Sequence, residues 1–491
     1  MQSRTFLALL TLALSFMTSD QGAALSPETK PVVFEHATVI DATGSAAMPN
    51  FTVVIRGSRI SEIGPAKSVH VPKDAKVIDA TDKFLIPGLW DMHAHVLTDK
   101  AEILLPLFVA NGITGARDMG NDNDVPIEAM DAIRKKVAQG TLIGPRVVMA
   151  GHLLDGPKPV IPSNVALTAE AQARRTVIDL KRSGVDFIKV YTALPRNLYF
   201  AIADEAKKQD LPFVGHVPIS VTAEEASDAG QKSFEHLTGV IGACSRREPD
   251  LRLVLQEKYE AFHGPTSEIV RFAFVLYQQR LLDAYDPEKA VAAFDHLRKN
   301  GTWQCPTLVA LRTVAFFDDR NFLKDPRLKY IPRSWTFWTD PDRRHTDQFL
   351  KDLTDEDYAN EKRAFQKRLE IVSAMNRAGI KFLAGTDTPL PSVHPGFSLH
   401  EELALFEKAG MTPIEALQTA TLNPAKFLNI EQDLGTIQKG KIADLVLLDA
   451  NPLENINNTQ HINAVMVNGR LLDRNALDNQ LMQVEAAAKK N

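Results

Sequence analysis

Phe84-Leu85-Ile86-Pro87-Gly88-Leu89-Trp90-Asp91-Met92-His93-Ala94-His95 runs from an apolar stretch into a His-x-His pair. On a strand, residues two apart point to the same face, so His93 and His95 can hold one metal ion together. The bare pattern is weak in a chain with 13 histidines. Its position gives it weight, because the end of a strand is where an α/β-barrel enzyme keeps its active site. Beyond Pro87, short apolar stretches such as 185–191 and 213–216 alternate with longer helical ones such as 197–209. That alternation predicts parallel strands joined by crossover helices.

The flanks have a different texture. Short β-rich runs fill 25–87, at 32–34, 37–40, 51–55, 60–63 and 76–80, and Gly57-Ser58 supplies a two-residue hairpin turn with glycine first. β-Rich runs return at 443–448 and 464–467, ahead of a charged, alanine-rich tail at 476–491. Because domain termini usually lie close together, 25–87 and 431–475 are expected to close as one small β-sandwich around a barrel at 88–430.

Composition narrows the function classes. With 491 residues, 44% hydrophobic and 24% charged, the chain can bury a large core. A net charge of -5 lacks the footprint of a nucleic-acid binder. Two cysteines exclude a disulfide scaffold and a four-cysteine zinc site, and whether Cys244 and Cys305 pair is left open. Residues 1–24 read as an export signal, with Arg4 before an uncharged apolar stretch at 6–17 and a small-residue cleavage site at Gly22-Ala23-Ala24. The mature protein is therefore expected in the periplasm or secreted, with no membrane association.

Four further strand-like segments carry a metal-competent side chain at or near their ends: Lys189 in 185–191, His216 after Phe213-Val214-Gly215, His236 after Ser233-Phe234-Glu235, and Asp387 after Phe382-Leu383-Ala384-Gly385-Thr386. Singly, each has an ordinary reading: a hydrogen-bonded core histidine, a paired lysine, a helix-capping aspartate. Together with His93 and His95 they form a joint pattern that chance rarely produces.

On these residues, and on Asn423-Pro424-Ala425-Lys426, Leu434-Gly435-Thr436-Ile437 and Gly440-Lys441-Ile442-Ala443-Asp444-Leu445-Val446, the chain resembles the amidohydrolase superfamily over nearly all of its mature length. Gly112-Ile113-Thr114-Gly115-Ala116-Arg117-Asp118-Met119-Gly120 and Phe187-Ile188-Lys189-Val190-Tyr191 look most like the imidazolonepropionase-related branch, which includes prolidase-like exported dipeptidases. The resemblance implies a distorted (β/α)8 TIM barrel with two divalent metal ions, zinc first among the candidates. His93, His95 and Asp387 would hold one ion and His216 and His236 the other, with N6-carboxylated Lys189 and a hydroxide bridging them. A carbamate converts a costly buried cation into a two-oxygen anion able to span a metal pair.

The reaction implied is hydrolysis of an amide C–N bond in a dipeptide or N-acyl amino acid, by attack of the bridging hydroxide. Asp387 would move the proton, and Tyr191, two residues beyond Lys189, would reach the oxyanion or the substrate carboxylate. Lactone, carbamate or organophosphate ester hydrolysis on the same centre is the alternative, and a non-catalytic binding protein on this fold a further one. Deamination is disfavoured: superfamily deaminases place a glutamate three residues after the histidine matching His216, and here that residue is Ile219. The expected partner is a small-molecule or short-peptide substrate, with a homo-oligomer left open.

Between His236 and Asp387 the chain is longer than a barrel needs, which implies an insertion around 245–370. Its aromatic residues Phe316, Phe317, Phe322, Tyr330, Trp335, Phe337 and Trp338, with Arg320, Arg327 and Arg333 among them, read either as a lid over the site or as a satellite core. His152, in Gly151-His152-Leu153-Leu154-Asp155, ends another strand and is a candidate substrate contact.

Overall fold

The alternating and β-branched runs of the first flank become strands β1 (Val32–Val39), β2 (Met48–Arg56), β3 (Arg59–Pro65), β4 (Lys76–Asp79) and β5 (Phe84–Pro87). The computed structural model describes residues 30–120, 125–263 and 266–491, so the expected export signal at 1–24 lies outside the described residues. The runs expected at 32–34 and 37–40 merge into β1, whose register against β2 shifts around His36, a residue with φ of 63°. This bulge bends the strand, so its first half pairs with β4 and its second half with β5. The Gly57-Ser58 hairpin forms as read, with Arg56 opposite Arg59 and Gly57 at φ 58°.

The middle of the chain supplies short parallel strands: β6 (Leu89–Ala94), β7 (Ile113–Asp118), β8 (Arg146–Met149), β9 (Leu153–Asp155), β10 (Val165–Ala166), β11 (Ile188–Val190), β12 (Phe213–Gly215), β13 (Ser233–Glu235) and β14 (Trp303–Cys305). The second flank adds β15 (Leu445–Leu448), β16 (Ile462–Val467) and β17 (Arg470–Asp473).

β5 is an interior strand, with β1 on one side and β15 antiparallel on the other, Phe84 opposite Leu448 and Pro87 opposite Leu445. The two flanks therefore join in one eight-stranded sheet, ordered β17-β16-β15-β5-β1-β2-β3 with β4 on β1. The sheet curls: Ile60 N–H donates to Lys441 O at 2.9 Å, bringing β3 back to the segment before β15. Phe34, Val39, Val53, Leu85, Leu445, Leu447 and Met466 share its core. Where two stacked sheets were expected, the hydrogen bonding is that of one sheet bent on itself, because β5 is paired on both edges.

The parallel strands form a TIM-barrel-like α/β arrangement. One sheet is β6-β7-β8 and the other β10-β9-β11-β12-β13-β14. β8 and β9 belong to one stretch broken at Gly151, φ 76°, and each half pairs with a different neighbour. Between β14 and β6 there is no ladder. Residues 382–384 bridge the gap by isolated bonds, Leu383 N–H to Gln304 O at 2.9 Å and Met92 N–H to Ala384 O at 2.8 Å.

The expected tail is instead a helix, Arg474–Lys490. Its buried Val484 and Ala488 pack with Ile103, Leu107 and Tyr330, and Gln480 Nε2 donates to Pro106 O at 2.6 Å. An apolar stripe with helical spacing gave it a face to bury. Among the described residues no helix is long and apolar enough to cross a membrane.

The aromatic segment of the insertion is largely packed. Phe317 joins Val275, Leu353 and Tyr358 in a satellite core, Tyr330 stacks on Phe397, and Trp338 meets His394. Phe316 and Phe337 stay exposed. Cys244 and Cys305 are both free and buried.

Candidate metal centre

The six residues singled out as ligands come from four strand ends, one of which supplies two of them, and one strand interior. His93 lies on β6 with His95 just beyond it, Lys189 in the middle of β11, His216 and His236 directly after β12 and β13, and Asp387 after 382–384. Two glycines permit this crowding. A Cβ on Gly215 would lie 2.2 Å from Val190 O and 3.0 Å from Lys189 Cδ. One on Gly385 would lie 2.5 Å from Cys305 Sγ and 2.7 Å from His93 Cβ.

Asp387 is the hub. Its Oδ1 lies 3.3 Å from His93 Nε2 and 3.2 Å from His95 Nε2, and its Oδ2 lies 3.9 Å from His236 Nδ1. The rings of His93 and His236 are 4.6 Å apart, those of His216 and His236 4.9 Å. Donor atoms of His93, His236 and Asp387 all fall within 4.8 Å of one another, close enough to share one ion.

Each histidine is held by its Nδ1. The His93 Nδ1 is 2.8 Å from Glu235 Oε2, that of His216 2.7 Å from Thr192 Oγ1, and that of His236 2.6 Å from Thr307 Oγ1. His95 Nδ1–H donates to the Gly120 carbonyl. Such bonds fix ring orientation; where Nδ1 donates, as it does to the Glu235 carboxylate and the Gly120 carbonyl and as the threonine hydroxyls allow, Nε2 keeps its lone pair. His93 Nε2 and His216 Nε2 are buried and make no hydrogen bond among the described residues. A buried polar atom without a partner is costly, and a cation bound between these nitrogens and Asp387 would satisfy them. The donor set therefore fits divalent metal ions.

Electrostatics agree with that fit. Burial holds His216 well below the usual imidazole range and pushes His236 down to about 3, so both rings are neutral, as ligation requires. Burial alone would raise Asp387, but His236 and His93 hold it well below the usual carboxylate range. Lys189 is 1% exposed and forms no ion pair among the described residues. Burial pushes its ammonium down to about 8, against the opposing pull of Glu235 and Asp387.

Tyr191 lies against His216, ring centroids 4.1 Å apart, and burial holds its phenol protonated. His152 is placed differently: its Nε2–H donates to Val125 O at 3.0 Å, which ties the ring to a neighbouring loop. No contact joins it to the metal-competent cluster among the described residues.

Sequence reasoning assigned no role to the layer behind the ligands. Glu235 and Arg117, both fully buried, form an ion pair at 3.0 Å in the barrel interior. Asp91, pushed up to about 7 by burial, accepts from Thr386 N–H at 3.0 Å and Thr386 Oγ1–H at 2.7 Å, steadying the turn that carries Asp387. The available signal was opposite charges placed inside otherwise apolar strands, which is tolerated only when they are paired.

The amidohydrolase family model matches residues 84–472. The adenine deaminase of Rubrobacter xylanophilus is 30% identical over 96 residues, 18% of this chain and only 16% of its own length. Among solved structures, a bottromycin amidohydrolase aligns with a TM-score of 0.68 and 23% identity, covering 93% of this chain and 90% of its own. A Xaa-Pro dipeptidase with methionine bound in its active site aligns with a TM-score of 0.64 and 20% identity, covering 90% of this chain and 100% of its own. At these identities the two structures establish a shared fold.

Proposed function

Because the chain belongs to the amidohydrolase family, we propose that it is a metal-dependent hydrolase of C–N bonds, acting on dipeptides or N-acyl amino acids in the manner of the prolidase-like branch. The observation that carries this is the set of four histidines, each anchored through Nδ1 around Asp387. His93, His95 and Asp387 would hold one divalent ion, zinc first among the candidates, and His216 and His236 the other, with Lys189 as an N6-carbamate completing the donor set. A lysine this buried and without an ion pair among the described residues would gain from becoming an anion beside bound cations. When bound, the ions polarise the scissile carbonyl and lower the pKa of the attacking water.

The chain's own groups do the rest. Asp387 accepts the proton of the attacking water and passes it to the leaving amine, a role its hub position serves. The protonated Tyr191 phenol donates to the oxyanion or to the substrate carboxylate. Glu235, Thr192, Thr307 and the Gly120 carbonyl keep the rings from turning. Ile219, three residues after His216, cannot shuttle a proton, which argues against deamination. The names of the two structural relatives, an amidohydrolase and a dipeptidase, support the bond type.

The test compares a dipeptide with its C-terminal amide on the zinc-loaded protein. Faster turnover of the free acid is expected. Equal rates would remove the preference for a free carboxylate and favour a general amide, carbamate or ester hydrolase. No turnover of either, with two ions bound, would remove the amide reading itself.

A further inference from the structure

The insertion contains a concave site that none of the six metal-competent residues lines. Phe317, Asp318, Arg320, Phe322 and residues 341–345 line a cavity of about 290 Å³. At its wall Arg343 is only 4% exposed, yet among the described residues it forms no ion pair. Its Nε–H donates to Phe317 O at 3.3 Å and its Nη1 to Ser392 Oγ at 3.0 Å. The guanidinium lies against two rings, 3.4 Å from the centroid of Phe322 and 4.2 Å from that of Phe317. Of the five N–H donors of an arginine, Nη2 keeps both of its own and Nη1 keeps one. That edge is the geometry a carboxylate accepts bidentately.

A buried charge is ordinarily paired, and contacts with aromatic rings do not replace a counter-charge. The carboxylates that act on Arg343 at longer range are already committed. Asp319 caps Asn321 N–H, and Asp347 accepts from Phe349 and Leu350 N–H. Asp318 pairs with Lys362 at 2.7 Å and Arg344 with Asp355. Arg320 adds positive charge at the rim, and burial pushes Arg343 itself down to about 10, a sign of how poorly its charge is compensated. Three more polar atoms nearby, Arg344 Nε, Tyr358 Oη and Asp318 Oδ1, are buried without a hydrogen bond among the described residues. A ligand with acceptor oxygens would meet the first, and one that also carries an ammonium would meet Asp318.

We propose that this cavity is a binding site for a small carboxylate, gripped by Arg343 on the edge that Phe317 O and Ser392 leave open. It is distinct from the metal centre and does not depend on the reaction assigned there. Through Ser392, five residues beyond Asp387, the occupant would join the insertion to the loop that follows the metal-competent aspartate.

The experiment is calorimetric titration of the metal-loaded full chain with acetate, N-acetylglycine, glycine and inorganic phosphate at matched chloride. Wild type is expected to bind at least one of the three carboxylates. Glycine against N-acetylglycine separates a zwitterionic occupant from a blocked acid, and tighter binding of either one in an Arg343-dependent manner supports the site. Arg343→Met should weaken that binding by about tenfold or more, the loss of a charge-assisted bidentate pair, while Arg343→Lys keeps part of it. Should Arg343→Met not fold, Arg343→Lys and Ser392→Ala supply the comparison. Absence of carboxylate binding by wild type, equal binding by every folded variant, or binding of phosphate alone would overturn the proposal.

Discussion

Replacing Glu235 with glutamine tests the layer behind the ligands. The carboxylate accepts from Arg117 Nη2 at 3.0 Å on each oxygen, from Ser233 Oγ at 2.5 Å and from His93 Nδ1 at 2.8 Å. Glutamine offers one acceptor oxygen and turns the other position into a donor, which must then face an N–H of Arg117 or of His93. Arg117, fully buried, would keep Met92 O at 2.6 Å, Ser233 Oγ at 3.0 Å and at most the glutamine oxygen, with no carboxylate to balance its charge. Leaving one member of a buried pair uncompensated costs about 3–5 kcal/mol. If His93 answers by moving its proton to Nε2, that nitrogen can no longer bind a cation, and metal affinity falls by about 10–100-fold. Urea unfolding of the metal-free proteins reads the first effect and competition for zinc against a chelator reads the second. Pairing Glu235→Leu with Arg117→Met should recover much of the stability but none of the affinity, since both charges leave together. A Glu235→Gln protein within about 1 kcal/mol of wild type, well short of the cost of a broken buried pair, and unchanged in zinc affinity would refute the reasoning.

Three further outcomes are expected. Lys189→Ala should lose both turnover and at least one bound ion, and short carboxylic acids in solution should restore part of the turnover; near-normal activity with two ions would exclude a bridging carbamate. Asp387→Asn should fold, yet lose about 10²–10⁴-fold in kcat, the scale of a positioned acid/base group, and a loss under about tenfold would move the proton-transfer role to His236. Gly385→Ala should cost about 1–3 kcal/mol by overpacking against Cys305 and His93, measured by urea unfolding, and should weaken zinc binding with it.

The strands that carry the proposed ligands stood out because most of them end an apolar stretch with one residue that burial would otherwise punish. His216, His236 and Asp387 stand out for that reason, and Lys189 does so from the middle of its strand. Arg117 and Glu235 have the same signature, but they satisfy each other, and a mutual solution between residues 118 positions apart leaves no local trace in the sequence. Thr192 and Thr307 were hidden differently, since a threonine after a strand serves many turns and only the fold shows which imidazole it meets. The terminal β segments were recognised by composition and their union by the proximity of chain ends. Their pairing was not: a curled sheet and a sandwich ask for the same alternation, and only the double pairing of β5 separates them. The helix Arg474–Lys490 was taken for a tail because its charge and alanine content outweighed a sparse apolar stripe. Arg343 was overlooked because an arginine in a polar, proline-broken stretch reads as surface until its burial is known.

The pairing of β5 with β15 also sets an order of assembly. A chain made from its N-terminus exposes β5 early, directly ahead of the strand bearing His93, yet the partner edge of β5 arrives some 360 residues later. Contacts of such sequence separation make a high-contact-order topology and slow its completion. Until residue 448 has emerged, the first strand of the metal centre hangs from an unfinished sheet edge, open to pairing with other chains. The β5–β15 pairing thus ties assembly of the candidate site to the synthesis of β15, and shortening the chain before β15 should abolish the site without touching any of the six metal-competent residues.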